Sequence, residues 1–197
     1  MFIAGIGLSF LLEFWFGVVV SVYLTLTLTY SIKLKQVAVV DVLVLSTGYV
    51  LRAVGGAVVI QVPISLWLYV VTSFGAMLIG FGKRRGELAG SEGMASLQRH
   101  VLNQYSKVLL NKLIILVSVG VFITYLAYTL TASNLPDNRT MVGTVPIMGF
   151  GLYRYLLLLY RKNAGETPEE MFLTDRPLLI TVILWLSTVV VVLVAAR

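Results

Sequence analysis

The chain contains no cysteine, so neither a disulfide nor a thiolate metal site is available to it; that absence says nothing about its compartment. Charge is also scarce. Only 12% of the 197 residues are Asp, Glu, Lys or Arg, against roughly 25% in a soluble domain. With 58% hydrophobic residues and a mean hydropathy of +0.93, that shortage excludes an ordinary soluble fold and points to an integral membrane protein among membrane lipids. There is no tandem repeat, and the 5 prolines and 17 glycines are spread through apolar runs rather than gathered in low-complexity tracts. A net charge of +6 would suggest an anionic partner in a soluble protein. Here much of it orients the chain in a bilayer, and nucleic acid is not an expected partner.

A membrane-spanning helix needs about 20 apolar residues. Seven segments are candidates: Met1 to Leu12, Trp15 to Thr29, Val37 to Ile60, Leu66 to Gly82, Val108 to Thr131, Met141 to Tyr160, and Leu178 to Ala196. The first is short for a full span. The second holds Leu24-Thr25-Leu26-Thr27-Leu28-Thr29, an alternation that reads as a strand in water. In hydrocarbon a lone strand leaves its backbone unpaired, whereas a helix satisfies itself and lets the threonine hydroxyls bond back to the preceding turn. The expected fold is therefore an all-α polytopic transmembrane helix bundle of about seven helices, with residues 1–197 forming a single membrane domain.

Basic residues fall in alternate connections. Lys33 and Lys35, then Lys83, Arg84, Arg85, Arg99 and Lys107, then Arg161, Lys162 and Arg176 lie on one side. The positive-inside rule makes that side cytoplasmic, with loops 30–36, 83–107 and 161–177 facing the cell interior. Within the long loops, Ser96 to Tyr105 reads as a short amphipathic interfacial helix, and Pro168 suits the first turn of another. Gly55, Gly56, Gly75 and Gly80 suit close helix packing.

Two charges inside one apolar run demand a reason, because ionised groups at bilayer depth usually mark a cavity or a function. Arg52 follows Asp41 by eleven residues, about 20° apart around a helix and about 16 Å apart along it. The pair is expected to line opposite ends of one polar cleft.

At Tyr30-Ser31-Ile32-Lys33-Leu34-Lys35, at Asp41, and at Gly48-Tyr49-Val50-Leu51-Arg52-Ala53-Val54-Gly55-Gly56-Ala57 the chain resembles the UbiA superfamily of intramembrane prenyltransferases. Gly82-Lys83-Arg84-Arg85-Gly86-Glu87-Leu88 and Asp175-Arg176-Pro177-Leu178 narrow the resemblance to the branch that transfers phosphoribose to decaprenyl phosphate. The resemblance implies a bundle of nine helices around a cytoplasm-facing cavity, with Mg²⁺ held by two acidic clusters. It implies phosphoribosyl pyrophosphate as donor, a polyprenyl phosphate as acceptor, and a product used in cell-wall arabinan synthesis. The family's first acidic motif has no counterpart here, since Glu13 and Asp41 are the only acids before Arg52. The expectation is thus an N-terminally truncated, UbiA-like bundle lacking the first two helices and inactive alone, either a gene fragment or one part of a split protein with a separate N-terminal fragment.

On that resemblance Asp41 is a catalytic residue and the Mg²⁺ ligand, and Arg52 its catalytic partner. Tyr30, Lys33, Lys35, Lys83, Arg84 and Arg85 bind the phosphorylated substrates. Simpler roles compete with these. Lys33 and Lys35 also serve as topology markers, and Glu87, at helical spacing from Arg84, offers an ion-pair cluster instead. His100 reads as an interfacial polar residue. Two other functions stay open: an aromatic prenyltransferase using a prenyl diphosphate, and a non-enzymatic transport subunit.

Overall fold

The computed structural model describes residues 2–62, 66–90, 100–132, 135, 139–162 and 167–195. Every regular element among them is helical: α1 (Phe2–Leu12), α2 (Phe14–Ile32), α3 (Val40–Val59), α4 (Leu66–Gly90), α5 (Lys107–Thr131), α6 (Val145–Lys162), α7 (Pro168–Thr174) and α8 (Arg176–Ala195). Short 3₁₀ turns at Leu34–Gln36, His100–Gln104 and Thr140–Thr144 join them. The all-α expectation holds.

Local chemistry explains where these helices start. The Glu13 carboxylate caps α2 by accepting from Phe16 N at 2.7 Å, Ser106 caps α5 by accepting from Leu109 N at 3.1 Å, and Asp175 caps α8 by accepting from Leu178 N at 3.0 Å. Each satisfies an amide that a helix start leaves without a partner. The alternating Leu-Thr run is helical, and Thr25, Thr27 and Thr29 donate to the carbonyls of Ser21, Tyr23 and Thr25. Lipid thus decides against the strand, as expected.

Among the described residues, five segments are long and apolar enough to cross a membrane: Phe14–Ile32, Val40–Val59, Lys107–Thr131, Thr140–Arg161 and Arg176–Ala195. α1, at 11 residues, is about 16 Å long and falls short of a span. α4 matches α5 in length but bears Lys83, Arg84, Arg85 and Glu87 near its end. Those residues, expected in a loop, continue the helix because none of them breaks it. At the predicted interfacial helix, the described portion is the 3₁₀ turn at His100–Gln104; Ser96 to Arg99 lie outside the described residues.

α2 packs on α3, α3 on α4, α4 on α5, and α6 on α8. Their shared core includes Val42, Leu78, Phe81, Ile114, Leu158 and Leu178. Outside, Leu11, Ile32 and Val194 are exposed, as expected of surfaces that meet acyl chains. Alternation brings the C-terminal ends of α2, α4 and α6 to the same side as the N-terminal ends of α3, α5 and α8.

Because lipid is as apolar as a side chain, close backbone approach supplies much of the packing between such helices. A Cβ on Gly80 would fall 2.7 Å from Val42 Cγ1, and one on Gly55 would meet the Phe16 ring at 3.4 Å. Gly56 and Gly75 differ from the expectation of tight packing: each has open space where a Cβ would go. Gly80→Ala should therefore destabilise the chain by about 1 to 3 kcal/mol, while Gly56→Ala should leave it unchanged or stabilise it by about 0.5 to 1 kcal/mol. Thermal unfolding of the two variants in detergent checks the difference; equal losses would refute it.

Candidate functional site

Asp41 sits in the first turn of α3, Arg84 in the last turns of α4, and Tyr105 between the His100–Gln104 turn and α5. They meet at the charged end of the bundle. The Arg84 guanidinium donates from Nε to Asp41 Oδ2 at 2.7 Å and from a terminal nitrogen to Glu87, one turn along its own helix. Tyr105 donates its hydroxyl to Asp41 Oδ1 at 2.7 Å and accepts from Val39 N at 2.6 Å. Asp41 is 0% exposed and Arg84 2%, so the pair is sealed from solvent. Burial first, and then the bond to Asp41, push the Tyr105 phenol above its ordinary pKa. The hydroxyl stays protonated and remains a donor to the carboxylate.

This arrangement corrects several expectations. Asp41 has a cation on one oxygen and a phenol on the other, so both of its carboxylate oxygens are engaged in a buried ion network. Arg52 does not join it. It is exposed, donates to Tyr23 Oη at 2.6 Å, and lies 5.1 Å from the centroids of both the Tyr23 and Tyr49 rings. A near-common angle on α3 does not bring the groups together, because the long Arg52 side chain reaches α2 while Asp41 faces α4.

Nor does the triplet at the end of α4 form one basic patch. Arg84 is turned inward, and Glu87 pairs with it as the helical spacing allows. Arg85 donates to Asn111 Oδ1 at 2.9 Å and Leu159 O at 2.7 Å, and stands 4.7 Å from the Tyr160 ring centroid. Lys83 is exposed. So are Lys33, which ends α2, and Lys35, in the turn before α3, while Tyr30 is half-buried in the last turns of α2.

Mg²⁺ takes oxygen ligands, typically one or two carboxylates with water and phosphate oxygens. Asp41 and Glu87 do not fit that role, because an ion there would have to displace a buried guanidinium. Among the described residues no three His, Cys, Asp or Glu side chains converge.

An apolar cavity of about 240 Å³ lies alongside, lined by Gly75, Leu78 and Ile79 of α4, Leu152 of α6, and Thr181 and Trp185 of α8. Tyr155 also lines it, and its buried hydroxyl has no hydrogen-bond partner. That hydroxyl lies against Gly82, where an added Cβ would fall 2.5 Å away. Along α4 the lining ends at Ile79, and beyond it the Tyr155 side chain fills the space against Gly82.

Three partners escaped sequence reasoning. Tyr105 was placed only within an amphipathic stretch. Arg154 and Asp175 form a two-pronged pair at 2.9 and 2.8 Å that fixes the corner between α7 and α8. The cap sequence Asp175-Arg176-Pro177-Leu178 was the available signal for that corner, and nothing local marked Arg154 as its partner.

No family model matches the chain. Curated proteins do align with it. It is 29% identical over 196 residues to the decaprenyl-phosphate phosphoribosyltransferase of Mycolicibacterium smegmatis, covering 95% of this chain and 61% of that protein. The Mycobacterium tuberculosis protein of the same name is 30% identical over 173 residues, covering 88% and 57%. That of Corynebacterium glutamicum is 28% identical over 193 residues, covering 94% and 57%. The resemblance read from the sequence motifs is borne out, and the chain spans 57 to 61% of the length of these relatives.

Breaking a buried pair strands a charge. Arg84→Met should cost about 3 to 5 kcal/mol of stability, and adding Asp41→Asn should return much of the loss. Unfolding of the two single variants and the double variant in detergent tests this coupling; purely additive losses would show that the two residues are not coupled.

Proposed function

We propose that this chain serves transfer of 5-phosphoribose from phosphoribosyl pyrophosphate to a polyprenyl phosphate at the cytoplasmic leaflet of a bacterial inner membrane. The acceptor phosphate oxygen attacks the ribose carbon bearing the diphosphate; a phosphodiester forms as pyrophosphate leaves. The product is a lipid-linked ribose phosphate suited to cell-wall arabinan synthesis.

One observation carries this reading beyond the likeness to the named relatives. A single helix, α4, lines an apolar cavity at Gly75, Leu78 and Ile79 and carries exposed Lys83 one turn beyond Ile79, on the same side of the bundle as exposed Lys33 and Lys35. From Ile79 to Lys83 is about 6 Å of helix. A ligand with a long apolar tail and a phosphate head matches both halves. Lysine, a compact and strongly hydrated charge, suits a mobile phosphate.

Asp41 and Glu87 are held by Arg84, so any Mg²⁺ used in the transfer would need other ligands. The chain alone is therefore expected to bind the lipid phosphate and to transfer little or no phosphoribose.

Binding of polyprenyl phosphate and of uncharged polyprenol to the chain in nanodiscs tests the reading. The phosphate should bind about ten- to hundredfold more tightly, the worth of one or two charge-assisted hydrogen bonds. Replacing Lys33 and Lys35 together with alanine should remove most of that preference. Equal affinity for the two lipids, or prenyl transfer from a prenyl diphosphate to an aromatic acid, would overturn it.

A further inference from the structure

Between α2 and α3 the chain makes a turn that local sequence does not favour. Val39, which caps α3, has φ 69° and ψ −46°, near the strained γ-turn region. Non-glycine residues with positive φ are uncommon, and for a β-branched side chain the conformation is an outlier. The other two among the described residues are Gln61 and Arg139, neither of them β-branched. Such strain persists only where surrounding contacts over-determine the backbone.

Those contacts come from one place. Gln104 accepts from Ala38 N at 3.1 Å through its side-chain oxygen and donates from its side-chain nitrogen to Gln36 O at 2.9 Å. The Tyr105 hydroxyl accepts from Val39 N at 2.6 Å and donates to Asp41. Two adjacent residues therefore hold backbone groups of residues 36, 38 and 39. Their own segment is well anchored: Val101, Leu102 and Tyr105 are buried, and Ser106 begins α5. The clasped turn carries Lys33 and Lys35, whose side chains are exposed.

We propose that Tyr105 and Gln104 are positioning residues that fasten the Lys33–Val39 turn to the His100–Gln104 turn, fixing Lys33 and Lys35 for a phosphorylated ligand. The ligand half of this proposal rests on the phosphate-binding function above. The clasp itself rests on the strained Val39 backbone and the four hydrogen bonds. Neither residue need touch the ligand; both act through the turn. Because the Tyr105 hydroxyl also joins the Asp41–Arg84 network, the position of the basic turn is tied to the packing of α3 against α4.

The experiment uses the 197-residue chain in nanodiscs, with hydrogen exchange across residues 33–43 and binding of polyprenyl phosphate as its two readouts. Tyr105→Phe should speed exchange of the Ala38 and Val39 amides and weaken binding about tenfold, one hydrogen bond's worth. Gln104→Ala, at an exposed position, should act in the same direction without unfolding the chain. Val39→Gly, which tolerates positive φ, should restore most of the affinity lost in Tyr105→Phe. In a chain already carrying Lys33→Ala and Lys35→Ala, Tyr105→Phe should cost nothing further. Equal loss with and without the two lysines would overturn the positioning role, as would failure of Val39→Gly to rescue. If the wild-type chain does not prefer polyprenyl phosphate over polyprenol, the functional reading falls, and retained exchange differences still uphold the clasp. Unchanged exchange in both Tyr105→Phe and Gln104→Ala overturns the clasp whatever the chain binds.

Discussion

The ion pair between Asp41 and Arg84, removed from water at the end of a bundle otherwise packed by apolar contact, is the interaction on which the rest of this structure depends. In a low-dielectric interior neither charge is tolerable alone, and each fixes the other. Because Asp41 begins α3 and Arg84 lies in the last turns of α4, their pairing sets the register of those two helices. Glu87 and Tyr105 complete the network from α4 and from the segment before α5. Apolar packing between lipid-exposed helices tolerates sliding. A directional, buried hydrogen-bonded pair does not.

From that constraint follows the division of the basic triplet. Consecutive residues on a helix point about 100° apart, so Lys83, Arg84 and Arg85 cannot all serve one patch. Arg84 turns into the bundle, and Arg85 ties α4 to Asn111 on α5 and to the Leu159 carbonyl on α6. Lys83 remains outside. The arginines, with planar multi-donor heads and weak hydration, occupy the buried positions; the strongly hydrated lysines occupy the exposed rim. Arg52 is exposed, and its guanidinium is set against the rings of Tyr23 and Tyr49.

A second pair performs a similar task at the far side. Arg154 on α6 grips Asp175 with two hydrogen bonds, and Asp175 also caps α8 through the Leu178 amide. Asp175 thereby ends α7 through its backbone amide, which donates to Met171 O, while its carboxylate starts α8 and fastens this corner to α6. The cavity lies between this corner and α4, with Tyr155 stacked on Phe172 of α7, ring centroids 5.9 Å apart. The hollow is lined by apolar side chains of α4, α6, α7 and α8, and the Arg154–Asp175 pair holds three of those helices in place around it.

The solvent, the helical class, the approximate places of the apolar spans and the helix start at Pro168 are legible in the sequence, because these depend on hydropathy and on geometry within a few residues. The sequence also marks Asp41 and Arg52 as charges that need a reason, since charge is too costly in lipid to be incidental. Which partners they took was decided only by tertiary structure. Arg84 and Tyr105 lie 43 and 64 positions from Asp41, and no local rule selects them over Arg52, which shares its helix. The conformation of Val39 likewise comes from contacts 66 residues away, imposed against its own β-branched preference. Long-range packing chooses among charges that the sequence can only count.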